Sequence, residues 1–210
     1  MNYVPGCVKM VQVSIVLLLS AGVLKLFWKI DNELQQYSFN KLIKYCLFWG
    51  SILSLGIFLA PHQRTIEEQV CGILLAVYLT VCTVTDTLIY QVYDIMQYPG
   101  VLGGLIWVLL KEPQAGLGVS VILFAGMQYF ILMKKYGKGD GMGYCICSLY
   151  LAGAGMDIEG YLYHMVIGFG LLAAVQGIRG NITGKGNLKK AVALYPYISA
   201  GFLIMWIFLY

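Results

Sequence analysis

The chain has 210 residues, of which 60% are hydrophobic and 11% charged, with a formal net charge of +4. Soluble domains run near about 45–50% apolar and about 25% charged, and disordered chains need low hydrophobicity with high net charge, so both classes are excluded. The composition predicts a polytopic, all-α membrane helix bundle forming one integral membrane domain over residues 1–210.

Eight apolar runs bounded by charged or turn residues follow in chain order: 8–28, 42–60, 70–90, 98–110, 117–133, 141–154, 161–178 and 191–210. The first has the length of a signal-peptide core. It lacks a basic leading stretch, and Lys25 and Phe27-Trp28 stand where small cleavage-site residues belong, which predicts a retained helix. A helix of about 13 residues rises only about 20 Å, so the fourth and sixth runs are expected to begin in the interface or to line a water-filled notch.

The basic residues orient this bundle. Lys25, Lys29, Lys41 and Lys44, then Lys134, Lys135 and Lys138, then Arg179, Lys185, Lys189 and Lys190 fall on one side, leaving Lys9, Arg64 and Lys111 on the other. Eleven of fourteen on one side follows the positive-inside rule, which predicts both termini outside and the turns after the first, third, fifth and seventh helices in the cytoplasm. The charge is a topology signal, and no nucleic-acid partner is expected, because the basic residues bracket helices instead of forming one patch.

Cys7, Cys46, Cys71, Cys82, Cys145 and Cys147 contain no C-x-x-C pair, and beside them stand only His62 and His164. They predict no metal site and read as small apolar residues of the membrane interior. His164 reads as a hydrogen-bonded bundle residue, and the sixteen tyrosines as interface anchors, none of them catalytic.

Ten carboxylates are few enough to place singly. Asp31, Glu33, Glu67, Glu68, Glu112, Asp157 and Glu159 fall in turns and are expected to be solvated. Asp86, Asp94 and Asp140 sit at or just inside the cytoplasmic boundary. Asp86 is embedded in the third apolar run, with no lysine or arginine from position 86 to 97. An ionisable group inside a spanning segment costs about 2.5–3.5 kcal/mol, which marks it as functional or as buried with a partner; the plainer reading is an aspartate that caps or snorkels to the interface. Asp140 lies in Gly137-Lys138-Gly139-Asp140-Gly141-Met142-Gly143, where alternate glycines bare the backbone to close approach by another chain. Read structurally, Asp140 would be the N-cap of the sixth helix. Neither this stretch nor Gly184-Lys185-Gly186 has the lysine followed by Ser or Thr of a phosphate loop, and no cofactor is expected.

Two carboxyls within a few ångströms of each other cannot both ionise cheaply, so the pair shares a proton. The ionised one can take a proton from water while the neutral one polarises a peptide carbonyl. A substrate would have to present an unwound segment, lying as a strand along the glycine-rich backbone.

Gly137-Lys138-Gly139-Asp140 is a GxGD motif directly after an apolar run, with Asp86 standing 54 positions upstream. On these residues the chain resembles the prepilin peptidase family of membrane aspartic proteases. Val92-Tyr93-Asp94 stands at the offset of that family's Ile/Val-Pro-Asn/Asp element, and Leu194-Tyr195-Pro196-Tyr197-Ile198-Ser199-Ala200-Gly201 resembles its proline-containing last helix, so the resemblance spans about residues 70–201. It implies Asp86 and Asp140 as the catalytic pair, Gly137 and Gly139 as the backbone beside Asp140, and Asp94 and Pro196 in support. It also implies a six-helix peptidase core over residues 69–210, preceded by two extra helices within residues 1–68. The implied activity is removal of the basic leader from type IV prepilins or pseudopilins, typically after a glycine, at the cytoplasmic face of a prokaryotic inner membrane. The implied partners are that substrate and the lipid bilayer. Tyr93 replaces the usual proline, the basic residues common after the first aspartate are missing, and residues 29–41 are too short for the cysteine-bearing domain of longer members. No methyltransferase activity is therefore expected.

Presenilins and signal peptide peptidases also pair a Tyr-Asp with GxGD, which would make Asp94 the partner of Asp140. Their Tyr-Asp lies within a spanning helix, however, and their Pro-Ala-Leu element has no counterpart here. Two further classes share intramembrane carboxylates: a proton- or cation-coupled small transporter or a pilus or secretion assembly subunit, and a purely structural membrane protein.

Overall fold

The computed structural model describes residues 6–60, 65–111, 115–156, 158–183 and 192–208. Among these residues there is no strand. The helices in chain order are α1 (Gly6–Ile30), α2 (Asn32–Gln35), α3 (Phe39–Leu59), α4 (Ile66–Ile89), α5 (Asp94–Leu110), α6 (Ala115–Lys135), α7 (Lys138–Gly153), α8 (Ile158–Thr183) and α9 (Tyr195–Phe208). Over the described residues each of the eight apolar runs falls mainly on a helix of its own, the last of them starting only at Tyr195, and α2 is an added single turn. Among the described residues four stretches are long and apolar enough to cross a membrane, Val8–Ile30, Phe39–Leu59, Ile66–Ile89 and Glu159–Gly180, while Asp94–Leu110 and Tyr195–Ile207 are apolar but shorter. The chain is a helical membrane protein.

Short polar signals start these helices. Asp31 accepts the Glu33 N–H at 2.7 Å and so creates α2 in what the sequence suggests is a plain turn. Ser38 caps α3 through the Lys41 N–H. Thr65 and Glu68 form a reciprocal capping box at the start of α4. At its other end α4 stops where Tyr90 turns left-handed with φ 57°, its N–H closing on the Asp86 carbonyl.

Glu68 corrects the sequence reading, which leaves it in solvent. It is 6% exposed, with Oε2 accepting the Thr65 N–H at 3.1 Å and Oε1 paired to Lys111 Nζ at 2.8 Å. The capping box folds the glutamate back over the helix end. There Lys111, held over the Trp107 ring, neutralises it. Asp31 is half-buried and bonded to Tyr93, whereas Glu33, which accepts from Gln91 Nε2, and Glu67 and Glu159 are exposed as expected. Glu112, Asp157, His62, Arg64, Lys185, Lys189 and Lys190 lie outside the described residues.

The core is built around α4. Of its membrane-length stretch 72% is buried, against 17% for α8. α4 packs against α1, α3, α5 and α9, and α7 packs against α5, α6, α8 and α9. α5 and α9 therefore lie against both α4 and α7. Small residues let α5 in: a Cβ on Gly100 would stand 2.8 Å from Ile146 of α7 and 3.1 Å from the Tyr78 ring of α4, and one on Gly104 would stand 3.0 Å from Leu149. Cys46, Cys71, Cys82 and Cys147 are buried and Cys145 half-buried, all as free thiols. His164 is fully buried, with Nε2 3.0 Å from the Ile198 carbonyl.

Hydrogen bonds gather the α1–α3, α4–α5 and α6–α7 connections and the start of α9 at one end of the bundle. The Tyr37 hydroxyl donates to the Leu88 carbonyl at 2.8 Å, Tyr93 to Asp31, Lys138 Nζ to Asp94 at 3.2 Å, and the Tyr195 N–H to Asp86 at 2.8 Å. The opposite end is tied by Gln12 to Gln69 at 2.9 Å and by the Glu68–Lys111 pair.

Candidate functional site

Asp86 lies one turn before the end of α4 and is 6% exposed. Its Oδ2 accepts the N–H of Tyr195, the first residue of α9, at 2.8 Å. A helix start leaves its first N–H groups without intrahelical partners and carries a partial positive charge, so a carboxylate there is partly compensated. Pro196 follows directly and has no N–H to satisfy, which suits the first helical turn. That places Pro196 at the entry of α9, next to the residue that touches Asp86.

Asp140 reaches the same end from α7. It is the third residue of that helix and not its cap: Gly137 occupies the N-cap position with φ 150° and no side-chain cap bond. The left-handed backbone that only glycine adopts readily lets α7 begin at Lys138, three residues earlier than the apolar pattern suggests. The Asp140 carboxyl is thereby released from capping. Asp86 and Asp140 are close enough to act on each other electrostatically, and among the described residues neither belongs to an ion pair.

Around them lies a polar network that reading the tyrosines as surface anchors misses. Tyr78 of α4, Gln97 of α5 and Tyr195 of α9 meet in the interior, with Tyr78 and Tyr195 fully buried. The Tyr78 hydroxyl donates to Gln97 Oε1 at 2.9 Å, the Tyr78 and Tyr195 oxygens stand 2.7 Å apart, and the Tyr195 hydroxyl donates to the Gly139 carbonyl at 3.1 Å. One sequence signal existed: a residue directly before a proline at a helix start keeps a free N–H.

The alternate glycines of the GxGD stretch do let other groups approach, but these belong to the chain itself. A Cβ on Gly139 would stand 3.3 Å from Val92 Cβ, one on Gly141 would stand 3.1 Å from the Tyr129 carbonyl of α6, and one on Gly143 would stand 2.9 Å from the Tyr195 ring. Only Gly137 is open, its nearest neighbour being Asp140 Oδ2 at 3.5 Å. A strand laid along all four glycines has no room.

Asp94 is not in this interior group. It opens α5 with its side chain 67% exposed, paired at 3.2 Å to Lys138, itself 59% exposed. Between Asp86 and Asp94 the non-helical Gln91-Val92-Tyr93 is clamped from the N-terminal side, by Glu33 on Gln91 and by Asp31 and the Phe27 ring on Tyr93. The Tyr93 hydroxyl, helped by the Glu33 and Leu34 N–H groups, holds the Asp31 carboxyl below the usual carboxylate value against some desolvation.

Among the described residues the arrangement offers two carboxyls without a paired cation and no cluster of three metal-ligating side chains. Compared with protein-family models, with curated proteins and with solved structures, the chain matches none.

Proposed function

We propose that the chain is a membrane aspartic endopeptidase that cuts the basic leader from type IV prepilins or pseudopilins at the cytoplasmic membrane face. One observation carries the reading: two carboxyls 54 residues apart in sequence are brought, with no ion pair among the described residues, to the end of the bundle where Asp31, Asp94 and Lys138 also lie. In this reading α1 and α3 to α9 all cross the bilayer, both termini lie outside, and the shorter α5 and α7 leave room for water at the cytoplasmic rim.

The chemistry follows from one shared proton. The ionised carboxyl takes a proton from a water whose oxygen attacks the scissile carbonyl carbon, while the protonated carboxyl gives its proton to the carbonyl oxygen. The resulting gem-diol collapses, the C–N bond breaks, the leaving nitrogen takes a proton from the first carboxyl, and a diol hydroxyl returns one to the second. Water is consumed and the dyad is restored. Since Val92, α6 and Tyr195 already cover Gly139, Gly141 and Gly143, the unwound leader junction approaches beside Gly137.

The test is cleavage of a peptide with a basic leader, a glycine junction and an apolar helix by the purified chain in lipid. Wild type is expected to cut it, and Asp86→Asn and Asp140→Asn are not. Folded wild type that cuts no leader, yet takes up protons or cations into vesicles in a manner lost in Asp86→Asn, would carry the transport reading instead.

A further inference from the structure

The helices that carry Asp86 and Asp140 make no extended packing contact with each other among the described residues; α5 and α9 lie between them. Something must therefore fix how closely the two carboxyls approach. One residue touches both arms. Tyr195 donates its backbone N–H to Asp86 Oδ2 at 2.8 Å and its hydroxyl to the carbonyl of Gly139, the neighbour of Asp140, at 3.1 Å.

We propose that Tyr195 is the positioning residue that sets the spacing of the Asp86–Asp140 pair, its amide holding one arm and its phenol the other. This rests on the peptidase reading for its consequence in catalysis, but not for its geometry.

The proton inventory gives the bond to Gly139 its direction. A phenol has one proton and a carbonyl can only accept, so the Tyr195 proton is committed to Gly139 while its oxygen receives the one Tyr78 proton, which alternates between Gln97 Oε1 at 2.9 Å and Tyr195 at 2.7 Å, or an N–H of Gln97 Nε2 at 3.4 Å. Tyr78 and Gln97 thus hold the phenol in register from α4 and α5. The other titratable groups facing it are Cys82 of α4 and Cys147 of α7, both buried thiols. A second α4–α9 bond, Thr83 to Ser199 at 2.9 Å, keeps the backbone of α9 seated whatever the phenol does. The N–H on Asp86 therefore survives loss of the hydroxyl.

This separation of roles makes Tyr195→Phe a clean probe: it removes the bond to Gly139 and leaves the bond to Asp86. Tyr150→Phe is its control, a chemically equal change on a buried tyrosine of α7 whose hydroxyl bonds the Cys71 carbonyl at 3.1 Å, away from the carboxyls. Two readouts are taken on the full chain in lipid, leader cleavage as kcat and KM, and the infrared titration of labelled aspartate carboxyls, assigned with Asp86→Asn and Asp140→Asn. In Tyr195→Phe, kcat is expected to fall about tenfold or more with KM within about twofold, as befits lost orientation and not lost binding. The two coupled carboxyl titrations are expected to draw together by about one pH unit, because their separation measures the approach of the pair. Tyr150→Phe should move neither. Unchanged titrations in Tyr195→Phe, or an equal change in Tyr150→Phe, would overturn the proposal. If wild type cuts no leader while the titrations still respond to Tyr195→Phe alone, the peptidase reading fails and the positioning role stands.

Discussion

α4 carries two buried carboxyls, one near each end, and they are treated in opposite ways. Glu68, at the start, is closed on every side: it completes a capping box with Thr65 and pairs with Lys111 at 2.8 Å. Asp86, one turn from the end, receives the Tyr195 N–H and lies within electrostatic reach of a second carboxyl, with no ion pair among the described residues. Both are 6% exposed, so burial does not separate them. The partners do. A carboxyl compensated by a lysine and a helix start contributes to holding α4 against α5, whereas a carboxyl set beside another carboxyl is costly to the fold and useful for proton transfer.

The sharpest way to break this contrast is to neutralise each group without changing its shape. Asp86→Asn keeps an acceptor for the Tyr195 N–H, so the thermal midpoint should hold or rise while leader cleavage falls by about 10²–10⁴, the usual worth of a positioned acid or base. Cleavage surviving in Asp86→Asn would remove the difference in kind between the two ends. Asp140→Asn should behave in the same way.

Glu68→Ala tests the other end and should give the reverse. Removing one member of a buried pair costs about 3–5 kcal/mol, and because Lys111 keeps contact with water the expected loss is nearer about 1–3 kcal/mol. Cleavage per folded molecule should stay within about twofold. The measurement is a detergent-solubilised thermal midpoint beside a specific activity, and lost activity in fully folded Glu68→Ala would sink the purely structural assignment.

The contrast was only half legible in the sequence. The helices were written in hydropathy: over the described residues each apolar run falls mainly on one helix, and four of these helices are long and apolar enough to cross a membrane. Asp86 stood out for the same reason. Glu68 did not, although Thr65-Ile66-Glu67-Glu68 has the spacing of a capping box, because the cation that buries it comes from the end of α5. The tyrosines were harder still. Sixteen of them in a membrane chain resemble interface anchors, yet Tyr78, Tyr144, Tyr150, Tyr161 and Tyr195 turn inward, and that Tyr78 and Tyr195 meet depends on how α9 crosses α4. The glycines announced a close approach and left open what approaches: Val92, α6 and Tyr195 all do, through tertiary packing that no local pattern encodes.

A smaller effect belongs to the clamp on Gln91-Val92-Tyr93, which seats Val92 on Gly139. Asp31 is held below its ordinary value by the Tyr93 hydroxyl, so its contribution is present above the unfolded value near about pH 4 and is lost as the pH falls through the lower folded value. Asp31→Asn should therefore lower the thermal midpoint by a few degrees at neutral pH, with the difference from wild type closing below about pH 4. A difference that is constant from acid to neutral pH would show that the carboxyl charge is not what holds the clamp.

Asp94 supplies the smallest expected effect and a third kind of carboxyl. It is eight residues closer in sequence to the GxGD stretch than Asp86 is, and it stands where the Tyr-Asp resemblance would put the partner of Asp140. Its side chain is nevertheless 67% exposed and, among the described residues, is paired with the exposed Lys138, and pairs of that kind are weak because water screens them. Asp94→Asn should leave cleavage and the thermal midpoint within about twofold and about one degree of wild type. Should Asp94→Asn instead abolish cutting while Asp86→Asn spares it, the working pair would be Asp94 with Asp140. Asp86 would then be a second structural carboxyl, paired with a helix start as Glu68 is paired with a lysine.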